Sequence, residues 1–194
     1  MTRRSHALAL SLLLLAACPS AATLVEDLSI EEMVQRADCV VLGRVVHVSF
    51  EAEPGRSQIF TRVRIHVERC CKEDARGMDV RRTVEMRFEG GSAGGITTEV
   101  DGMPRFGVGD RVLVFLFRNQ GEDAFRPLGL SLGCFRSCRG ERDGRPVLRR
   151  DLTGLSLLRR RADGEYETVQ GEPDPDRPHA PFVHQIESIA RRSR

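Results

Sequence analysis

The chemistry this sequence could support rests first on its cysteines. Cys39, Cys70, Cys71, Cys134 and Cys138 follow a sixth, Cys18, which lies in an apolar N-terminal stretch. In an oxidising compartment such residues pair, and five cannot all pair internally, so one is left over. If Cys39 opens one strand and Cys70 closes the next, the turn between them brings Cys39 towards Cys70 or Cys71. The favoured arrangement joins one of Cys70 and Cys71 to one of Cys134 and Cys138, with Cys39 as the odd thiol in the core. Cys134 and Cys138 in one extended strand would stand ~13 Å apart at ~3.3 Å per residue, beyond the ~7 Å reach of a bridge.

The alternative is a thiol-based redox or zinc-binding site built from Cys70, Cys71, Cys134 and Cys138. Structural zinc favours ligand pairs separated by two to four residues. Cys134 and Cys138 meet that spacing and the adjacent Cys70 and Cys71 do not. His47 and His66 fall on neighbouring strands without a carboxylate signature, which reads as two surface positions. No G-x-S-x-G elbow or H-E-x-x-H helix is present, and the glycine-rich stretch 90–109 lacks the G-K-[S/T] ending of a phosphate loop. No catalytic residue, resident metal or cofactor is therefore assigned.

The elements that would position these groups are mostly strands. Ile30 to Ala37 reads as a short helix. Ser29 is its N-cap, Glu32 completes a capping box, and Leu28 and Met33 form a hydrophobic staple. Residues 39–50 (CVVLGRVVHVSF) form a valine-rich strand in which Gly43 marks a bend or bulge. Residues 59–70 alternate, with Val63, Ile65 and Val67 on one face. Val84, Met86 and Phe88 mark a third strand, and 111–117 (RVLVFLF) a central one. Residues 125–130 form another, and 134–139 and 147–150 make a hairpin around Asp143-Gly144. Residues 152–169 are ambiguous. Residues 171–181 read as a proline-rich linker, and Phe182, Val183, Ile186, Ile189 and Ala190 give a closing helix one apolar face. The resulting expectation is a mainly β domain, a small Greek-key, OB-like barrel with a helix at each end, spanning 23–170.

Residues 1–22 read as a signal peptide. Arg3 and Arg4 precede the apolar run 7–17, which is shorter than the ~20 residues a membrane span needs, and small residues end at Ala22. Cleavage after Ala22 gives a mature start at Thr23. The lipobox-like Leu15-Ala16-Ala17-Cys18 keeps lipidation of Cys18 as the alternative, the one route by which this chain would be anchored to a membrane. Arg3 and Arg4 leave with the leader and no acid does, so 28 basic and 28 acidic residues balance in the mature chain. That balance argues against nucleic acid as a partner. Nine arginines between 136 and 161 could offer a basic face to an acidic protein or other anionic ligand of the cell envelope, but solvated strand faces account for them better. With no reaction signature, the expected role is a periplasmic or secreted non-enzymatic binding or structural module.

The series L-S-I-E-E-M-V-Q-R-A-D-C-V-V-L-G-R-V (28–45), T-R-V-R-I-H-V-E-R (61–69), E-G-G (89–91), G-M-P-R-F-G-V-G-D-R-V-L-V-F-L (102–116) and L-G-L-S-L-G-C-F-R (128–136) resembles a family of uncharacterised exported bacterial proteins. Its pattern runs "A-D-x-V-V-x-G-x-V", a strand ending in Lys-Gly, and "P-x-F-x-x-G-[E/D]-x-V-L-x-F-L". The likeness covers residues 24–150. The same order faintly resembles the netrin-like OB domain of tissue inhibitors of metalloproteinases, which implies an OB-like fold and a binding role. This chain departs from both. Cys70-Cys71 replaces the usual apolar pair before Lys72, Glu73 replaces the glycine, and Cys134 and Cys138 are additional.

Overall fold

The computed structural model describes residues 23–53, 58–73 and 79–193. The expected leader, with Cys18 and the expected cleavage point at Ala22, lies outside them. In chain order the elements are β1 (Thr23–Glu26), α1 (Ile30–Arg36), β2 (Cys39–Ala52), β3 (Ile59–Lys72), β4 (Thr83–Glu89), β5 (Gly91–Ala93), β6 (Ile96–Thr98) and β7 (Arg111–Phe117). They continue with β8 (Arg126–Pro127), β9 (Cys134–Arg139), β10 (Pro146–Arg149), β11 (Leu155–Arg160), β12 (Tyr166–Gln170), β13 (Arg177–Pro178) and α2 (His179–Arg192). The main sheet runs β13-β10-β9-β7-β2-β3-β4, with β8 also on β7. A second sheet orders β1-β11-β12, and β5 and β6 form a hairpin.

The central strands explain themselves by alternation. Every residue from Val112 to Leu116 is buried. Val112, Val114 and Leu116 join a cluster with Val41, Val45, Val63, Ile65, Val84, Met86 and Phe125. Leu113 and Phe115 face the other way, into a cluster with Met33, Val34, Phe135, Phe182, Val183 and Ile186 that docks both helices onto the sheet. A strand buried on both faces has to be apolar at successive positions, which is why β7 shows no polar alternation. Each such side chain contributes about 1.5–3 kcal/mol by leaving water.

The expected helix near residue 30 forms with its cap. Ser29 Oγ accepts from the Glu32 N–H, and Glu32 Oε2 accepts from the Ser29 N–H. Gly43 sits at a register shift between β2 and β3, where a Cβ would come within 2.3 Å of the His66 carbonyl oxygen. The bend is therefore a close backbone approach that only glycine permits.

The main sheet is open rather than a closed barrel, with β13 and β4 at its ends. Phe125 nevertheless exchanges backbone bonds with β4, donating to the Glu85 carbonyl and accepting from the Arg87 N–H, immediately before β8 joins β7. Three expectations shift in detail. The ambiguous 152–169 stretch is the β11–β12 hairpin, and β11 runs parallel to β1. The strand expected over 125–130 shrinks to β8, followed by a 3-10 turn at Leu130–Gly133. The last helix begins at His179, which places Pro181 in its first turn, where no backbone donor is needed. The residues before that helix do not hang loose. The Gly171 N–H bonds the Leu155 carbonyl, the Asp174 N–H bonds the Arg150 carbonyl, and β13 pairs with β10.

Candidate binding clefts

The strand order decides what the cysteines can do. Cys70 and Cys71 end β3, whereas Cys134 and Cys138 lie on β9, with β2 and β7 between. Three strand spacings amount to ~14 Å, so the structure does not bring these pairs together. No disulfide joins any two of the described cysteines. Among the described residues no group of three or more His, Cys, Asp or Glu is placed to hold a metal ion, so the four-thiolate arrangement has no shared centre. The adjacent thiols diverge as well: Cys71 packs with the helix-side cluster, whereas Cys70 lies against the opposite one. Cys39 is fully buried on the same side as Cys70. Burial pushes the Cys71 thiol up to about 12, and burial also raises Cys134. Both are poor thiolates and hence poor nucleophiles or ligands.

His47 and His66 share a face of β2 and β3, but the register sets each opposite an arginine, His47 against Arg64 and His66 against Arg44. The basic run is largely compensated. Arg136 pairs with Asp110, Arg149 with Glu141 and Asp176, Arg150 with Asp174, and Arg159 with Asp27. These are strand faces carrying their own counter-ions.

Two clefts flank a segment that the sequence marked as glycine-rich and as part of the 102–116 motif. Residues 102–107 form a strap held at three points. The Gly102 carbonyl accepts from Ser131 through both the backbone N–H at 3.0 Å and Oγ at 2.6 Å. The Arg105 carbonyl accepts from Arg136 Nη2 at 2.7 Å. The Gly107 N–H donates to Asp110 Oδ2 at 2.7 Å. Gly102 has φ +77°, and a Cβ there would lie 2.1 Å from a Leu155 methyl, so glycine is required twice over.

The strap separates two clefts, and Met103, Pro104, Arg105 and Phe106 line both. The first, about 290 Å³, opens between β2, β4 and the β5–β6 hairpin. Val48, Phe50, Phe88 and Phe106 give it an apolar wall, and Thr61 and Thr98 add polar groups. Phe106 meets Phe88 with ring centroids 5.9 Å apart, in the tilted geometry that aromatic pairs prefer. The second, about 520 Å³, lies over β9 and the end of β10. Cys134, Arg136 and Cys138 line one side, with Arg149, Arg150 and Asp151 nearby. Ligand sites in proteins typically span about 300–1,000 Å³ with apolar walls and a few convergent polar groups. The two clefts together fall within that range.

The chain matches no known family model, and no curated protein or solved structure shows significant similarity to it.

Proposed function

We propose that the chain is an exported, non-enzymatic binding module whose ligand seats on the Met103–Phe106 strap. Its apolar part enters the Phe50–Phe88–Phe106 cleft, and its polar or anionic part lies towards Arg105 and the second cleft. The observation that carries this reading is the strap itself: three fixed hydrogen-bonded points hold one apolar and one arginine-bordered cleft on either side of four residues. The basic n-region, short apolar run and small residues up to Ala22 support export, and the strap lies within the motif that resembles exported bacterial proteins. In this reading β2, β3 and β4 continue through Phe125 and β8 back to β7 as an OB-like barrel, supported by the Phe125 bonds to Glu85 and Arg87. The thiol-based alternative draws no comparable support, because burial raises Cys71 and Cys134.

The probe for this site is 1-anilinonaphthalene-8-sulfonate, an aromatic amphiphile with one anionic group. It should bind the folded wild type saturably. Phe106→Ala and the rim variant Arg105→Glu should each weaken it at least tenfold, with circular dichroism spectra unchanged. Equal affinity in both variants would remove the clefts as the site.

A further inference from the structure

β2 is twice the length its neighbour needs. It runs from Cys39 to Ala52, yet β7 pairs only with Cys39 to Arg44, and the loop after the strap adds bonds only at Val45. From Val46 onward β2 pairs with β3 on one side. Among the described residues no backbone bond reaches its other edge. An exposed edge of this kind is a template for another strand, and proteins usually blunt theirs with charge, proline or cover. This one carries Val46 and Phe50, both nearly half exposed, at 46 % and 49 %.

The sequence of the edge is complementary to itself. Val46 is the extra residue at the register shift between Val45 and His47. Beyond it, Val48 and Phe50 lie opposite Val63 and Thr61, on the apolar side, while His47, Ser49 and Glu51 lie opposite Arg64, Arg62 and Phe60 on the other. Antiparallel pairing with a second copy about a two-fold axis at Ser49 sets Val48 against the partner's Phe50 on one face. On the other face it sets His47 against the partner's Glu51, a carboxylate that within one chain accepts from Arg62 Nε and Nη2. Both contacts occur twice, as closed two-fold symmetry requires. Cross-strand apolar and polar pairs are the units that stabilise such a ladder. The His47 imidazole can donate to a carboxylate in either protonation state.

We infer that the chain forms a symmetric dimer by pairing residues 46–52 of β2 with the same residues of a second copy, which places the two apolar clefts side by side across the joined sheet. The inference shares Val48 and Phe50 with the first cleft but does not require its ligand.

Sedimentation equilibrium over a concentration series tests it, using full-length mature protein. The wild type should dimerise, His47→Glu should weaken the dimer at least tenfold by facing the partner's Glu51 with a like charge, and His47→Lys should preserve it. Ser49→Cys should cross-link when oxidised with copper phenanthroline, because residues opposite one another in an antiparallel ladder have Cα atoms about 4.5–5.5 Å apart, within the ~4.4–6.8 Å span of a disulfide. A peptide joining residue 49 of both copies would support the pairing. A monomer throughout, or a dimer indifferent to His47→Glu that yields no such peptide, would overturn it.

Discussion

Lys72 Nζ donates to the Ala37 carbonyl at 2.6 Å and to the Val34 carbonyl at 2.8 Å, with the Gln35 carbonyl at 3.3 Å. Lys72 is the only lysine in a chain with 30 basic residues. A helix leaves its last carbonyls without partners, and an ammonium group presents three donors from a single point. A planar guanidinium fork cannot converge on three carbonyls in this way. Lys72→Met should cost about 2 kcal/mol, the scale of a charged hydrogen bond lost over partly buried acceptors. Lys72→Arg should recover less than half of that. Urea unfolding checks both, and an Arg variant as stable as wild type would refute the geometric argument.

Arg150 is 7 % exposed and is held by Asp174 at 2.9 Å, by the Leu132 carbonyl at 2.8 Å and by the Phe135 ring 5.0 Å below it. Burial lowers its pKa against the pull of Asp174. Removing the carboxylate leaves a buried guanidinium with one fewer partner, at a cost of about 3–5 kcal/mol. Asp174→Ala should therefore be far more destabilising than Asp163→Ala, whose surface pair with Arg161 contributes at most about 1 kcal/mol. Equal unfolding midpoints would contradict this.

His179 opens α2, and its Nε2 is buried without a hydrogen-bond partner. Burial first, then the Arg111 charge, lowers its pKa below the usual 6.5, while Glu68 pulls the other way. The unfolded chain therefore binds this proton more readily than the folded one. The stabilisation is complete above pH 6.5 and drains away as the pH falls through the depressed folded value. Urea midpoints should decline from pH 7 to pH 5, and His179→Gln should flatten that slope. An unchanged slope would assign the decline to other groups.

The thiols should differ in reactivity. In the folded protein, iodoacetamide at neutral pH should modify partly exposed Cys138 before Cys71 and Cys134, whose thiols burial holds in the protonated form. Denaturation without reductant should open all three. Peptide mapping reads the order, and early loss of Cys71 would show that its site opens easily. If the proposed export holds, maps of protein isolated from its own cells should begin at Thr23.

How far the sequence foresaw this depends on the range of the interaction. The capping box at Ser29 and Glu32, the bend at Gly43 and the doubly buried β7 are local patterns, and all three were legible. The strap was not. Its glycines marked turns, but Gly102 is fixed by Ser131 and Leu155, which lie 29 and 53 positions away, and nothing local encodes that contact. The separation of Cys70 and Cys71 from Cys134 and Cys138 follows from strand order, which periodicity does not reveal. The run 171–181 read as a linker because its prolines and charges show no period; Asp174 and Asp176 anchor its first part through Arg150 and Arg149, and its last three residues open α2.

The most direct test of the proposed site is a methyl NMR spectrum of protein labelled at its methionines. Met103 lines both clefts, whereas Met33 sits on α1, fully buried in the helix-side cluster and lining neither cleft. On titration with 1-anilinonaphthalene-8-sulfonate, the Met103 methyl should shift progressively to saturation while the Met33 methyl stays in place. A stationary Met103 methyl, or a Met33 methyl that moves instead, would contradict a binding site on the strap.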